Sequence, residues 1–179
     1  MKKLFKLALI CLVFASSAAH ATLFNFSYQL NTGDEVTGSL TGTLSGAYVT
    51  GASNINVFLN GTAFIGNGAL FATAWDPTLN GGGNWTNAIA ASISTDAALN
   101  NFLFIDVDFP SAFNYNTNYF MMINAQTFSQ AAVWDGDFYA YDYPTFSPTW
   151  SLTAVPEPAT LALMGLALLG AGVARKRKA

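Results

Sequence analysis

The stretch LFNFSYQLNTGDEVTGSLTGTL, residues 23–44, alternates apolar and polar side chains on both sides of a turn-forming Asn-Thr-Gly-Asp segment. Such alternation is typical of half-buried strands, because successive side chains point to opposite faces of a sheet. The stretch therefore predicts an antiparallel hairpin of about twenty residues. The side chains predicted to face inward are Phe24, Phe26, Tyr28, Leu30, Val36, Leu40 and Leu44.

Short segments of the same kind continue to residue 154, separated by turn signals such as Asn60-Gly61. No segment shows convincing helical periodicity. This pattern of short strands and turns predicts an all-β protein, an antiparallel β-sandwich or jelly-roll-like single domain over residues 22–154. The further strands are predicted at 53–59, 62–65, 69–75, 85–94, 102–109, 119–124, 131–134, 138–141 and 149–153.

The charges of the chain are segregated. All seven Lys and Arg residues lie outside residues 22–154, whereas nine of the ten acidic residues lie inside, so this segment has a formal charge of −9. Nucleic acids and anionic lipid surfaces are bound through Lys and Arg, so we expect neither as a partner. The segment also lacks His and Cys, the usual catalytic bases, thiol nucleophiles and zinc ligands. We therefore expect a non-catalytic domain without a required cofactor.

Two groups of side chains are candidates for ligand binding. Tyr139, Tyr141 and Tyr143 fall on one face of an extended segment and, with Trp75, Trp85 and Trp134, could form a stacking surface for sugar rings; core filling is the alternative. Clustered carboxylates in a segment without cations either face water or bind a hard cation such as calcium. The acidic candidates for calcium are Asp135, Asp137 and Asp142, and Asp106 and Asp108 form a further pair on one face of a predicted strand.

The first 21 residues have the pattern of a secretory signal peptide. Lys2, Lys3 and Lys6 precede the apolar stretch 7–15, which leads to Ala19-His20-Ala21. This pattern predicts a signal helix and cleavage by signal peptidase after Ala21, with Ala19 and Ala21 as the small residues of the cleavage site.

Residues 155–179 combine a Pro156-Glu157-Pro158 triplet, an apolar run at 159–173 and the cationic end Arg175-Lys176-Arg177-Lys178. Prolines keep the triplet extended, and the four cations favour the cytoplasmic side of a membrane. The apolar run is short for a stable anchor, since its 15 residues span about 22 Å as a helix. We therefore predict a short transmembrane helix that holds a precursor temporarily.

This three-part tail resembles the PEP-CTERM sorting signal of Gram-negative bacteria. The resemblance implies that an exosortase-type membrane transpeptidase recognises Pro156, Glu157 and Pro158 and cuts near them. It further implies a precursor tethered to the inner membrane, then a product at the cell surface or outside the cell, associated with exopolysaccharide. It covers the tail alone and leaves the fold and activity of residues 22–154 unassigned.

The combined prediction is an exported, non-catalytic, all-β protein that associates with extracellular polysaccharide. Two alternatives stay open. One is a carbohydrate-active enzyme that uses carboxylates alone. The other is a structural or adhesive matrix protein that binds other proteins through exposed strand edges.

Overall fold

The computed structural model describes residues 21–64, 70–96, 98–106, 118–125, 128–143, 149–156 and 165. Between residues 21 and 156 the described part of the chain forms strands and turns, with a 3-10 turn at Leu79–Gly81, a further 3-10 residue at Thr149 and no α-helix. The strands are β1 (Thr22–Gln29), β2 (Glu35–Ser45), β3 (Tyr48–Leu59), β4 (Thr62–Ala63), β5 (Phe71–Asp76), β6 (Asn84–Thr86), β7 (Ile93–Ser94), β8 (Asn101–Ile105), β9 (Tyr119–Ala125), β10 (Phe128–Trp134), β11 (Tyr139–Asp142) and β12 (Ser151–Ala154).

The strands form two six-stranded antiparallel sheets. The first has the order β12-β1-β2-β3-β4, with β7 also paired to β3, and the second has the order β11-β10-β9-β8-β5-β6. Consecutive strands stay mostly within one sheet, so each sheet is largely a meander rather than one of the paired Greek keys of a jelly roll. The prediction of an all-β domain with antiparallel sheets is confirmed.

The first hairpin forms as the sequence predicts. Tyr28 of β1 pairs with Val36 of β2, and Gly33 supplies the positive φ of 94° that the intervening turn requires. Gly38 lies opposite Phe26, and a Cβ atom there would lie 2.3 Å from the Phe26 ring and 2.2 Å from the backbone oxygen of Asn56. The glycine therefore makes room for an inward-facing ring.

One shared aromatic core joins the two sheets. The Phe26 ring of the first sheet lies 5.6 Å from Phe104 and 6.1 Å from Phe120, both in the second sheet. Trp150, just before β12, stacks on Phe26 at 5.9 Å and donates its indole N–H to the backbone oxygen of Ser94. Because the segment has no cysteine, burial of these rings is the main source of its stability.

The structure differs from the predicted strands in three places. Residues 85–94 form two strands in different sheets, and Thr86 starts the bend by accepting the Ala88 N–H. β3 begins at residue 48 because Gly51 and Asn54, which read as turn residues, adopt positive φ at register shifts within the sheet. Leu44 was predicted to face inward but is 51% exposed, since it lies beyond the last β2 residue that pairs with β1.

Both predicted helices, at 1–21 and in the tail, lie outside the described residues apart from Ala21 and Gly165. None of the helices in the described part of the chain has the length and apolarity needed to cross a bilayer.

Candidate functional site

The three predicted tyrosines form an exposed stripe at the edge of the second sheet. Tyr139, Tyr141 and Tyr143 are 46%, 56% and 64% exposed, and they are among the most exposed large apolar side chains described. The first two belong to β11, the edge strand, while the intervening Ala140 and Asp142 point inward and are buried. We call Tyr139, Tyr141 and Tyr143 the tyrosine stripe.

The turn before β11 sets the direction of the stripe. The Asp135 carboxylate accepts the backbone N–H groups of Asp137 and Phe138, at 3.1 and 2.8 Å, and Gly136 takes a φ of 95°. This turn chemistry fixes the register of β10 against β11, with Tyr139 opposite Trp134. Because side chains alternate along a strand, every second residue from Tyr139 onward then faces out.

The rings of the stripe continue into neighbouring strands. The ring centroids of Tyr139 and Tyr141 lie 5.6 Å apart, and those of Trp134 and Tyr139 lie 5.9 Å apart. Tyr119 of β9 pairs with Trp134 and extends the row. Together these side chains make an aromatic surface across three strands, without a charged residue among them.

Two phenols of this surface, those of Tyr119 and Tyr139, resist ionisation. Burial raises the pKa of Tyr119 to about 12, and nearby Tyr139 adds to the shift. Burial also raises the pKa of Tyr139, with a smaller contribution from Tyr141. Desolvation disfavours the charged phenolate, so Tyr119 and Tyr139 stay neutral hydrogen-bonding groups at and well above neutral pH.

The other two aromatic candidates lie elsewhere. Trp75 and Trp85 face each other across β5 and β6, at the opposite edge of the same sheet, with their rings 5.6 Å apart. A Cβ atom on Gly83 would lie 2.4 Å from the Trp75 ring, so the glycine backbone packs directly on the indole. The aromatic residues grouped together by the sequence are therefore split between the two edges of the second sheet.

The three acidic residues predicted as calcium ligands do not form one group. Asp135 and Asp137 lie at the β10–β11 turn, whereas Asp142 pairs with Ala131, four residues back along β10. Asp142 is 2% exposed and accepts the Tyr28 hydroxyl at 2.7 Å and the backbone N–H of Asn31 at 3.1 Å. Within the described residues, no three His, Cys, Asp or Glu side chains are grouped to hold a metal ion.

Asp142 is instead part of a contact between the sheets that sequence reasoning missed. Its partner Tyr28 belongs to β1 and is fully buried. The two residues are 114 positions apart, so no local pattern indicates that they meet. The available signal in the sequence was that Asp142 occupies an inward-facing position in a segment whose side chains alternate between the two faces.

Asp106 also plays a role at a strand end. Its carboxylate accepts the Asn118 N–H at 3.0 Å, and its own N–H donates to the Asn118 carbonyl, which joins the end of β8 to the start of β9. The other carboxylate oxygen is buried and has no hydrogen-bond partner among the described residues. Asp108, the second member of the predicted pair, lies outside the described residues.

The tail begins where the first sheet ends. β12 stops at Ala154, and the Val155 N–H then donates to the Leu23 carbonyl at 2.8 Å. Pro156 follows and is exposed. Ala21 is exposed at the other end of the described segment, while Ala19, Glu157, Pro158 and the cations at 175–178 lie outside the described residues.

Comparison with known proteins identifies the tail. Residues 154–178 match the PEP-CTERM protein-sorting motif, which confirms the resemblance drawn from the sequence. No curated protein and no solved structure matches the chain significantly. The motif implies a protein that is sorted by exosortase and exported to the cell surface through a membrane-anchored precursor.

Proposed function

We propose that the exported protein associates with neutral extracellular polysaccharide through the tyrosine stripe and does not act as a catalyst. The observation that carries the proposal is the run of three outward tyrosines, 46–64% exposed, of which Tyr139 and Tyr141 are held by β11 and Tyr143 directly follows it. Three large aromatic rings exposed side by side leave apolar surface in contact with water, which is unfavourable unless a ligand covers the rings.

The chemistry of the stripe suits a sugar ring. The C–H face of a pyranose packs on an aromatic plane, and the phenol hydroxyls can bond to sugar hydroxyls at the rim of the same contact. Tyr139 and Tyr141, with centroids 5.6 Å apart, offer two adjoining platforms. Trp134 adds a third ring beside them.

The charge of the segment favours a neutral polymer over an acidic one. Residues 22–154 have a formal charge of −9 and no Lys or Arg. A polyanionic glycan would be repelled, and this segment has no guanidinium or side-chain ammonium group to bind its carboxylates or sulfates. Association would therefore depend weakly on salt, since no ion pairs form.

The test is electrophoresis of the mature protein in native gels that contain neutral polysaccharide from its host. Wild type should be retarded, and Tyr141→Ala should lose about tenfold in affinity, the value of roughly one stacking contact. Leu99→Ala is the matched control, because Leu99 is 45% exposed but lies outside the stripe.

Equal retardation of wild type and Tyr141→Ala would refute the role of the stripe. The non-catalytic part of the proposal is tested in the same samples by measuring reducing ends. Release of reducing ends that stops in Asp106→Asn would instead support the carboxylate-only enzyme. Wild-type thermal stability must be retained in each variant for the comparison to hold.

A further inference from the structure

The side chains of residues 22–154 restrict how this protein could be joined covalently to its surroundings. The segment has no cysteine, so it cannot form disulfides, and no lysine, so it offers no side-chain amine for amide or Schiff-base linkages. Phenol rings are the remaining side chains that couple to one another readily, through carbon–carbon bonds formed after one-electron oxidation. A side-chain cross-link between two copies of this segment would therefore form most readily through tyrosine.

The described tyrosines differ in how far their side chains are exposed to solvent. Tyr28 is fully buried, and Tyr48 and Tyr119 are half-buried, whereas the tyrosine stripe is 46–64% exposed. Coupling between molecules requires two ring edges to meet in solvent. Only the stripe, among the described tyrosines, presents its rings in that way.

The arrangement of the rings also favours oxidation at the stripe. Trp134, Tyr139 and Tyr141 form a continuous series with centroid separations of 5.9 and 5.6 Å. An electron vacancy created on any of these rings can pass between neighbours at such short separations. It would reach the more exposed end of the series, where a second molecule can approach.

We infer that the tyrosine stripe is a site of oxidative coupling, at which two copies of the exported protein become joined by a dityrosine bond. In this reaction a one-electron oxidant, such as a peroxidase using hydrogen peroxide, removes one electron and one proton from a phenol of each copy. The two phenoxyl radicals join at ring carbons next to the hydroxyls, and both rings regain aromaticity by proton shifts. Overall, two tyrosines lose one hydrogen atom each, and one hydrogen peroxide becomes two waters.

This inference does not depend on polysaccharide binding. The stripe could couple without binding sugars, or bind sugars without coupling, because the first needs only accessible phenols and the second needs ring faces. Gel retardation and covalent dimer formation are separate measurements, so the failure of one proposal leaves the other standing.

The test uses the full chain in detergent, treated with horseradish-type peroxidase and hydrogen peroxide. Covalent dimers are measured on reducing denaturing gels, which removes any disulfide through Cys11. Linked peptides are then identified by mass spectrometry as pairs that have lost two hydrogen atoms. The variants are Tyr139→Phe/Tyr141→Phe/Tyr143→Phe and the control Tyr48→Phe, which keep every aromatic ring.

The triple variant should form less than half the wild-type yield of covalent dimer, while Tyr48→Phe should match wild type. Linked peptides from wild type should contain residues 139–143. A triple variant with half or more of the wild-type yield would overturn the inference, because coupling would then occur through other tyrosines. Unchanged melting temperatures show that the substitutions leave the fold intact.

Discussion

The hydrogen bond between Tyr28 and Asp142 should make a measurable contribution to stability. The Tyr28 hydroxyl donates to the Asp142 carboxylate at 2.7 Å, and both side chains are at least 98% buried. Hydrogen bonds to charged groups contribute about 1.5–3 kcal/mol. Tyr28→Phe keeps the ring beside Phe120, 6.3 Å away, so the loss should come from the interactions of the hydroxyl group.

We therefore expect Tyr28→Phe to lower the free energy of unfolding by about 2 kcal/mol. With a urea dependence of about 2 kcal/mol/M, the unfolding midpoint of the mature protein should fall by about 1 M, followed by tryptophan fluorescence. The control Tyr48→Phe, on the half-buried Tyr48 of β3, should stay within about 0.5 kcal/mol of wild type.

A double-mutant cycle with Asp142→Ala isolates the pair. Asp142→Ala also removes the acceptor of the Asn31 N–H, so it should cost more than Tyr28→Phe. The double variant should be more stable than the sum of the single losses predicts, by about 1–3 kcal/mol. If Tyr28→Phe is as stable as wild type, or if the two losses simply add, the carboxylate does not hold the sheets together as argued.

Three further changes test other parts of the structure. Gly38→Ala should destabilise the fold by about 1–3 kcal/mol, because its Cβ would lie 2.2 Å from the Asn56 backbone oxygen. The control Gly82→Ala has open space around the new Cβ and should be near neutral in the same urea titration. The free energy of unfolding should fall as pH rises from about 10 to 12, because the folded state holds the Tyr119 proton that the unfolded state releases. Tyr119→Phe should flatten this decline. The same decline in Tyr119→Phe as in wild type would contradict the role of Tyr119. Replacing the cations at 175–178 with serine should leave the sorting motif uncleaved in a fraction of the protein, detectable by mass spectrometry of the mature chain, and complete processing would contradict their role as a membrane stop.

The first hairpin could be predicted from sequence because its information is local. Alternation alone places Phe24, Phe26, Tyr28 and Leu30 inside, and the structure buries all four. The same rule fails at Leu44 because burial also depends on whether a neighbouring strand extends that far, which alternation does not encode. The prediction of one strand at 85–94 fails for a related reason, since a strand-like run of residues does not show which sheet each half joins.

For the candidate site, too, local patterns could be predicted from the sequence and contacts between distant residues could not. Alternation placed Tyr139, Tyr141 and Tyr143 on one face, so their grouping could be predicted, but alternation does not show whether that face points to solvent or to the core, and the structure shows that it is exposed. The acidic residues could not be placed, because their roles depend on contacts far apart in sequence. Asp142 reads like a surface residue next to Asp135 and Asp137, yet its position opposite Ala131 turns it toward Tyr28.

The position of Asp142 also bears on how the edge of the second sheet can be used. β11 is an edge strand of four residues, and such edges can recruit a strand from another protein. Proteins oppose this by keeping edge strands short and by pointing a charged residue inward, and β11 has both features. An added strand would also have to pair with β11 without breaking the hydrogen bond between Asp142 and Tyr28. Edge pairing, the mode expected of an adhesive matrix protein, is therefore disfavoured at β11, whereas the ring faces and ring edges of the tyrosine stripe stay accessible.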